Sequence, residues 1–154
     1  MRGDLFAPSN AGVHMSGHSA RPDRNGDRPM ATHPIILIDD DRTWSEAVVE
    51  LLRSEGFDVE RVENGRRGLE LLESSLPQLV ILDVHLPGLS GFGVLRGLRQ
   101  CRPHVPVLMV SSDDQAGPMA EALTEGASSF LRKPIAPELL LRAIRRLTTT
   151  SAIR

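Results

Sequence analysis

Three short runs of consecutive apolar residues stand out along the chain, Ile35–Ile38, Leu79–Leu82 and Val105–Val110, with a weaker one at Ser128–Leu131. Each is too short for a helix of ordinary length and is bounded by turn residues, as a strand buried on both faces is. Phe57, Val59 and Val62 alternate instead with Asp58, Glu60 and Arg61, the pattern of a half-exposed strand at or near an edge. Between these runs the apolar positions recur at helical spacing. Trp44, Ala47, Val48, Leu51 and Leu52 mark a first helix, with Asp41 or Thr43 as N-cap, Glu46 in the first turn and Gly56 as its stop. Asn64-Gly65 turns the chain into a second helix carrying Leu69, Leu71 and Leu72. Phe92, Val94, Leu95 and Leu98 define a third over Gly91–Cys101, and Met119, Ala120, Ala122 and Leu123 a weak fourth that Gly126 stops. The fifth, Pro137–Leu147, has Pro137 in its first turn, faces Leu139, Leu140, Ala143, Ile144 and Leu147 inward, and turns Arg142, Arg145 and Arg146 outward.

Strand and helix thus alternate five times, which predicts an α/β fold: a five-stranded parallel sheet, doubly wound, with helices on both faces. Each parallel pair needs a right-handed crossover, and the helices supply it. This domain is expected to occupy residues 34–150. Residues 1–33 are rich in Gly, Pro, Ser, Asn, Asp and Arg, with only isolated bulky apolar side chains. They cannot bury enough surface to offset ordering entropy and read as a disordered tail. Arg2-Gly3-Asp4 has the form of an adhesion tripeptide with nothing else to support it, and His14, His18 and His33 lack metal-ligand spacing.

Composition narrows the function classes. The 154 residues suffice for one domain with a sizeable core, and a net charge of −2 gives no push toward nucleic acid or a membrane surface. One cysteine, Cys101, rules out an internal disulfide. No apolar run approaches membrane-spanning length and the N-terminus has no hydrophobic signal region, so a cytoplasmic location is expected. Of the 18 basic residues 17 are arginine, which singles out Lys133, a compact point charge among planar forks.

The polar residues at the strand ends carry the chemistry. Asp39, Asp40 and Asp41 follow the first strand, Asp83 the third, Ser111 the fourth and Lys133 the fifth. In an open parallel sheet, ligands bind outside the carboxyl ends of the strands, so topology brings these residues to one rim. Several carboxylates, a hydroxyl and an ammonium describe a site for a hard divalent cation and a phosphoryl group. Attack by a carboxylate on phosphorus brings anions together, and a cation with Lys133 would neutralise the charge that grows on the phosphoryl oxygens.

Five pieces in order make the chain from about Ile35 to Leu147 resemble a response-regulator receiver domain: ILIDDD ending at Asp41, the Asp83 stretch with Leu86-Pro87-Gly88 and Gly91-Phe92, PVLMVS ending at Ser111, Gly126-Ala127, and FLRKP ending at Pro134. The resemblance implies a flavodoxin-like strand order 2-1-3-4-5. It implies that Asp83 accepts a phosphoryl group from a phosphohistidine and that Asp40 and Asp83 ligate Mg²⁺. Asp39 would act on the metal through a water and the His85 backbone carbonyl would complete the protein ligands, while Ser111 and Lys133 hold phosphoryl oxygens. Ser111 and Phe130 would form the switch, with Phe130 standing where the family often has tyrosine. His85 and Asp113 would flank the path of an attacking water, and Trp44 is read as core filler beside the acids.

Two other readings compete. Asp39 and Asp41 also resemble the nucleophile motif of haloacid-dehalogenase-type phosphatases, although that motif leaves Asp83 unexplained. A pseudo-receiver would bind partners without phosphorylation, yet every expected acid is present. On the receiver reading, no output domain is expected after the polar stub Thr148–Arg154, and the chain would catalyse only its own phosphorylation and dephosphorylation. Its expected partners are a sensor histidine kinase or histidine phosphotransfer protein and a downstream protein, neither nucleic acid nor membrane, with a homodimer through the last helix face as a further expectation.

Overall fold

The computed structural model describes residues 33–152, so the reading of the first 32 residues as a tail lies outside the described residues. Elements alternate as β1 (Ile35–Ile38), α1 (Arg42–Ser54), β2 (Val59–Val62), α2 (Gly65–Ser74), β3 (Leu79–Asp83), α3 (Gly91–Cys101), β4 (Val107–Ser111), α4 (Gly117–Thr124), β5 (Ser129–Arg132) and α5 (Pro137–Ala152). All four strand pairings are parallel and the order is β2-β1-β3-β4-β5. The expected α/β fold and strand order are both observed.

The sheet's two faces follow from the period of a strand, in which successive side chains point to opposite sides. Ile36, Ile38, Val80, Leu82, Val107 and Met109 pack with Leu72 of α2, Val94, Leu95 and Leu98 of α3 and Ala122 of α4. Ile35, Leu37, Leu79, Ile81, Leu108 and Val110 pack on the other side with Val48 and Leu52 of α1 and Leu140, Ile144 and Leu147 of α5. β1, β3 and β4 are buried along their whole length, whereas β2 at the edge shields only Val59 fully. Each fully buried Leu or Ile contributes about 1.5–3 kcal/mol, so these three central strands anchor the fold.

Several boundaries and faces differ from the sequence reading. β4 begins at Val107 because Pro106 has no N–H to give; its carbonyl still accepts from Val80. β5 ends one residue later than expected, at Arg132, and α4 begins earlier, at Gly117 with Pro118 in its first turn. Glu46 lies beyond the first turn of α1, where it pairs with Arg42 at 2.9 Å. Helix α5 runs on to Ala152, so the expected polar stub is helical over 148–152, and Thr148 Oγ1 donates back to the Ile144 carbonyl. Leu139 is 44% exposed rather than inward, because the buried stripe is Leu140, Ile144 and Leu147 and Leu139 sits one helical step off it. On α4 only Ala122 is buried, and Met119 and Leu123 face out.

Candidate phosphoryl and metal site

Strand register builds the site. Ile38 pairs with Leu82, so Asp39 and Asp83 leave β1 and β3 side by side; Asp83 pairs with Val110, which puts Ser111 one step beyond. Ser111 pairs with Arg132, and the Lys133 N–H donates to the Ser111 carbonyl at 2.8 Å, bringing the lysine to the same rim. The Lys133-Pro134 peptide is cis. Helix α3 closes the far side of Asp83. Gly91 donates to the Val84 carbonyl at 3.0 Å, and a β-carbon there would collide with the Asp83 carbonyl, so only glycine allows this approach.

At the centre, Lys133 Nζ donates to Asp39 Oδ2 at 2.7 Å and to Asp83 Oδ2 at 2.9 Å. The other oxygens are also held: Asp39 Oδ1 accepts the Asp41 N–H at 2.8 Å, and Asp83 Oδ1 accepts the His85 N–H at 2.8 Å. Asp39, Asp83 and Ser111 are buried while Asp40 is exposed at the mouth. Ser111 Oγ accepts the Asp113 N–H at 3.0 Å. No buried side-chain polar atom lacks a partner among the described residues, the condition under which so many can be buried at one rim.

The electrostatics show competition for one cation. Burial pushes the Asp39 carboxyl up, the Lys133 and Asp41 hydrogen bonds pull it down, and the Asp83 charge adds to the rise, leaving it at about 6. Burial pushes the Lys133 ammonium down, yet its bonds to Asp39 and Asp83 outweigh this and hold it above the usual lysine range. One carboxylate oxygen each from Asp39, Asp40 and Asp83 lies within 4.8 Å of the others. Three carboxylates thus face one ammonium, and a hard, oxygen-seeking divalent ion such as Mg²⁺ fits both the donor set and the missing charge.

Asp39, Asp40, Asp83 and Lys133 therefore come together as the sequence suggested, with Ser111 on the adjoining strand. His85 reaches the site through its backbone; its exposed ring stands 3.6 Å from Asp113, so the two residues read as flanking the site meet each other. Asp41, the second acid of the phosphatase reading, instead caps α1 by accepting the Trp44 N–H at 3.1 Å. Phe130 lies in the core cluster, paired with Met109 and 9% exposed, rather than at the acids. One neighbour escaped the sequence reading. Trp44 packs against the core as expected, but its ring also faces Lys133, with Nζ 4.2 Å from the ring centroid. Its place five residues after Asp39 was the available signal.

Comparison with known proteins points the same way as the geometry. The family model for the response regulator receiver domain matches residues 35–145. Response regulator MprA of Mycolicibacterium vanbaalenii is 38% identical over 118 residues, which cover 75% of this chain and 51% of MprA. MprA of Mycobacterium ulcerans is 35% identical over 113 residues, covering 73% of this chain and 49% of its own. The chain spans about half the length of the curated relatives it matches. Among solved structures, a CheY-like receiver domain protein from Methanospirillum hungatei aligns with a TM-score of 0.76 at 25% identity, over 79% of this chain and 98% of that one. A receiver domain protein from Clostridium thermocellum aligns with a TM-score of 0.74 at 28% identity, over 79% and 98%.

Proposed function

The chain belongs to the response-regulator receiver family, and from that premise we propose that residues 34–150 form a receiver in which Asp83 accepts a phosphoryl group from a phosphohistidine on a partner. The observation that carries this reading is the setting of Asp83, buried at the end of β3, bonded to Lys133 and grouped with two further acids. A carboxylate oxygen of Asp83 attacks phosphorus, the new P–O bond replaces the P–N bond, and the imidazole leaves. Lys133 already bridges the two buried acids, so a small movement transfers its charge to phosphoryl oxygens without carrying it out of the site. Ser111 Oγ accepts from Asp113 and can still donate its own proton to another phosphoryl oxygen. Asp39, Asp40 and Asp83 with the His85 carbonyl would hold Mg²⁺, which when bound neutralises charge on the transferring group.

Phosphohistidine implies a sensor histidine kinase or a histidine phosphotransfer protein as donor. A downstream protein, or a second copy of this chain, would read the state at the face formed by α4, β5 and α5. Met119, Leu123 and Leu139 are exposed there, and the exposed Arg142 of α5 adds charge, whereas Arg145 turns to Glu55 at the end of α1. Among the described residues no helix is long and apolar enough to cross a membrane.

The test is mass spectrometry of the chain mixed with Mg²⁺ and acetyl phosphate. A single acyl phosphate should appear on Asp83 and be absent from Asp83→Asn. A label on Asp39 instead would overturn the assignment.

A further inference from the structure

Lys133 is the chain's one lysine and Trp44 its one tryptophan, and the fold sets them face to face, with Nζ 4.2 Å from the indole centroid. We propose that Trp44 is a positioning residue for Lys133, its ring face seating the ammonium at the acid cluster while the acids change partners. The inference rests on the phosphoryl reading above and adds a residue to that site.

Three observations carry it. The separation lies well inside the range, about 6 Å, at which an ammonium is attracted to an aromatic face, and indole is the strongest of the aromatic partners. The Lys133 side chain is only 10% exposed, so little water competes for it. The residue is itself held, because Trp44 packs against the core and its backbone N–H is fixed by the Asp41 cap at the start of α1.

The chemistry of the other partners explains why such a seat matters. Asp39 and Asp83, which receive the Lys133 hydrogen bonds, both belong to the candidate metal site, and Asp83 is also the proposed nucleophile. Their hold on the ammonium weakens whenever another cation or a phosphoryl group engages them. The indole does not titrate, ligates no hard metal and adds no negative charge to a crowded cluster. Its attraction persists through those exchanges, and a long side chain with free rotamers stays where it is needed. Packing alone would demand only an apolar shape at position 44, which makes the two roles separable.

The single copies of both residues make the test clean. The full chain is prepared with tryptophan replaced by mono-, di- and tetrafluorotryptophan, which drains the ring face of negative potential while nearly keeping its shape, and as Trp44→Phe and Trp44→Leu. With labelled lysine, the one Lys133 ε-methylene signal should be shifted upfield by the ring in the native chain and return toward free lysine in Trp44→Leu. The rate of Asp83 phosphorylation by acetyl phosphate with Mg²⁺ should fall stepwise along the fluorine series, by about two- to tenfold at its end, with Trp44→Phe intermediate. A phosphorylation rate that stays the same across the fluorine series, or a Lys133 signal unaffected by the ring, overturns the proposal while leaving the receiver reading intact. A native chain that takes no phosphate at all overturns the receiver reading, and the positioning role with it.

Discussion

Two cations sunk into opposite ends of the sheet are held by opposite chemistry. Lys133, at the carboxyl ends of the strands, is bound by the carboxylates of Asp39 and Asp83. Arg99 of α3 lies at the other end, beside the segments that lead into β4 and β5, and donates to the backbone carbonyls of Gly126, Arg102 and Val105 at 2.7–3.3 Å. Burial alone lowers the Arg99 guanidinium from its usual range, because carbonyls return no full charge, whereas the acids around Lys133 more than offset its burial. Carbonyl partners are neutral, fixed and unable to titrate; carboxylate partners can be protonated, claimed by a metal or turned on phosphorus. The planar fork with five donors suits the permanent clamp, and the point charge suits the exchangeable one. Burying a cation therefore says little about function until its partners are named.

The largest effect expected from this contrast is kinetic. Lys133→Met should slow Asp83 phosphorylation by acetyl phosphate by about 10²-fold or more, as removal of a preorganised charge partner does. Arg99→Met, assayed where it is folded, should stay within about twofold of the native rate. Similar losses in both variants would erase the distinction between a working and a structural cation.

Stability should separate them in the other direction. Arg99→Met strands several carbonyls and is expected to cost about 2–4 kcal/mol in urea unfolding, with no change on adding Mg²⁺. Lys133→Met leaves acids without their ammonium, so its deficit in metal-free buffer should shrink when Mg²⁺ is added. A metal-insensitive Lys133→Met would mean that the acids do not gather a divalent ion.

Proton linkage gives a smaller, directional check. Asp39 titrates at about 6 in the folded chain against an ordinary value of 3.8, so between about pH 4 and pH 6 the native state holds the extra proton. More protons bound in the native state means that this group's contribution to stability falls as pH rises through that window and levels off above it. In metal-free buffer Asp39→Asn should remove that downward component from the stability profile, while Arg99→Met should keep it. An unchanged profile in Asp39→Asn would place the crowding elsewhere.

The contrast also marks what could be read from the sequence. Asp39, Asp83, Ser111 and Lys133 were legible because each follows a strand run, and a parallel sheet carries all such ends to one rim. The Arg99 clamp was not, since its partners are carbonyls that any residue could supply. Trp44 fits the helical apolar spacing, and spacing reveals which face is buried but not which edge of a ring meets a neighbour. The last turn of α5 is not legible because Thr148, Thr149 and Thr150 are poor helix formers, yet the turn forms with Thr148 bonding back to Ile144. The exposure of Leu139 is hidden from the sequence because an apolar residue beside a stripe resembles one within it.

Phe130 supplies the smallest predicted effect and the finest test, since it lies on β5 between the Arg99 clamp and Lys133. Its ring is buried in the core cluster, so swinging it outward would expose apolar surface. On the proposed switch, a phosphoryl group on Asp83 draws Ser111 and the following loop toward it, and the buried ring backs the loop in its new place. Phe130 provides packing there but no hydrogen bond. In Phe130→Tyr the added hydroxyl would contribute about 0.5–1.5 kcal/mol if the moved loop receives it. That corresponds to a several-fold gain in the population of the moved loop with a phosphoryl mimic bound, to be followed by NMR exchange at Ser111 and position 130. Without the mimic the hydroxyl has no such loop to meet, so the gain should appear only in its presence. An equal shift with and without the mimic, or a lower moved population with it, would show that the ring at position 130 serves the core alone and does not report on Asp83.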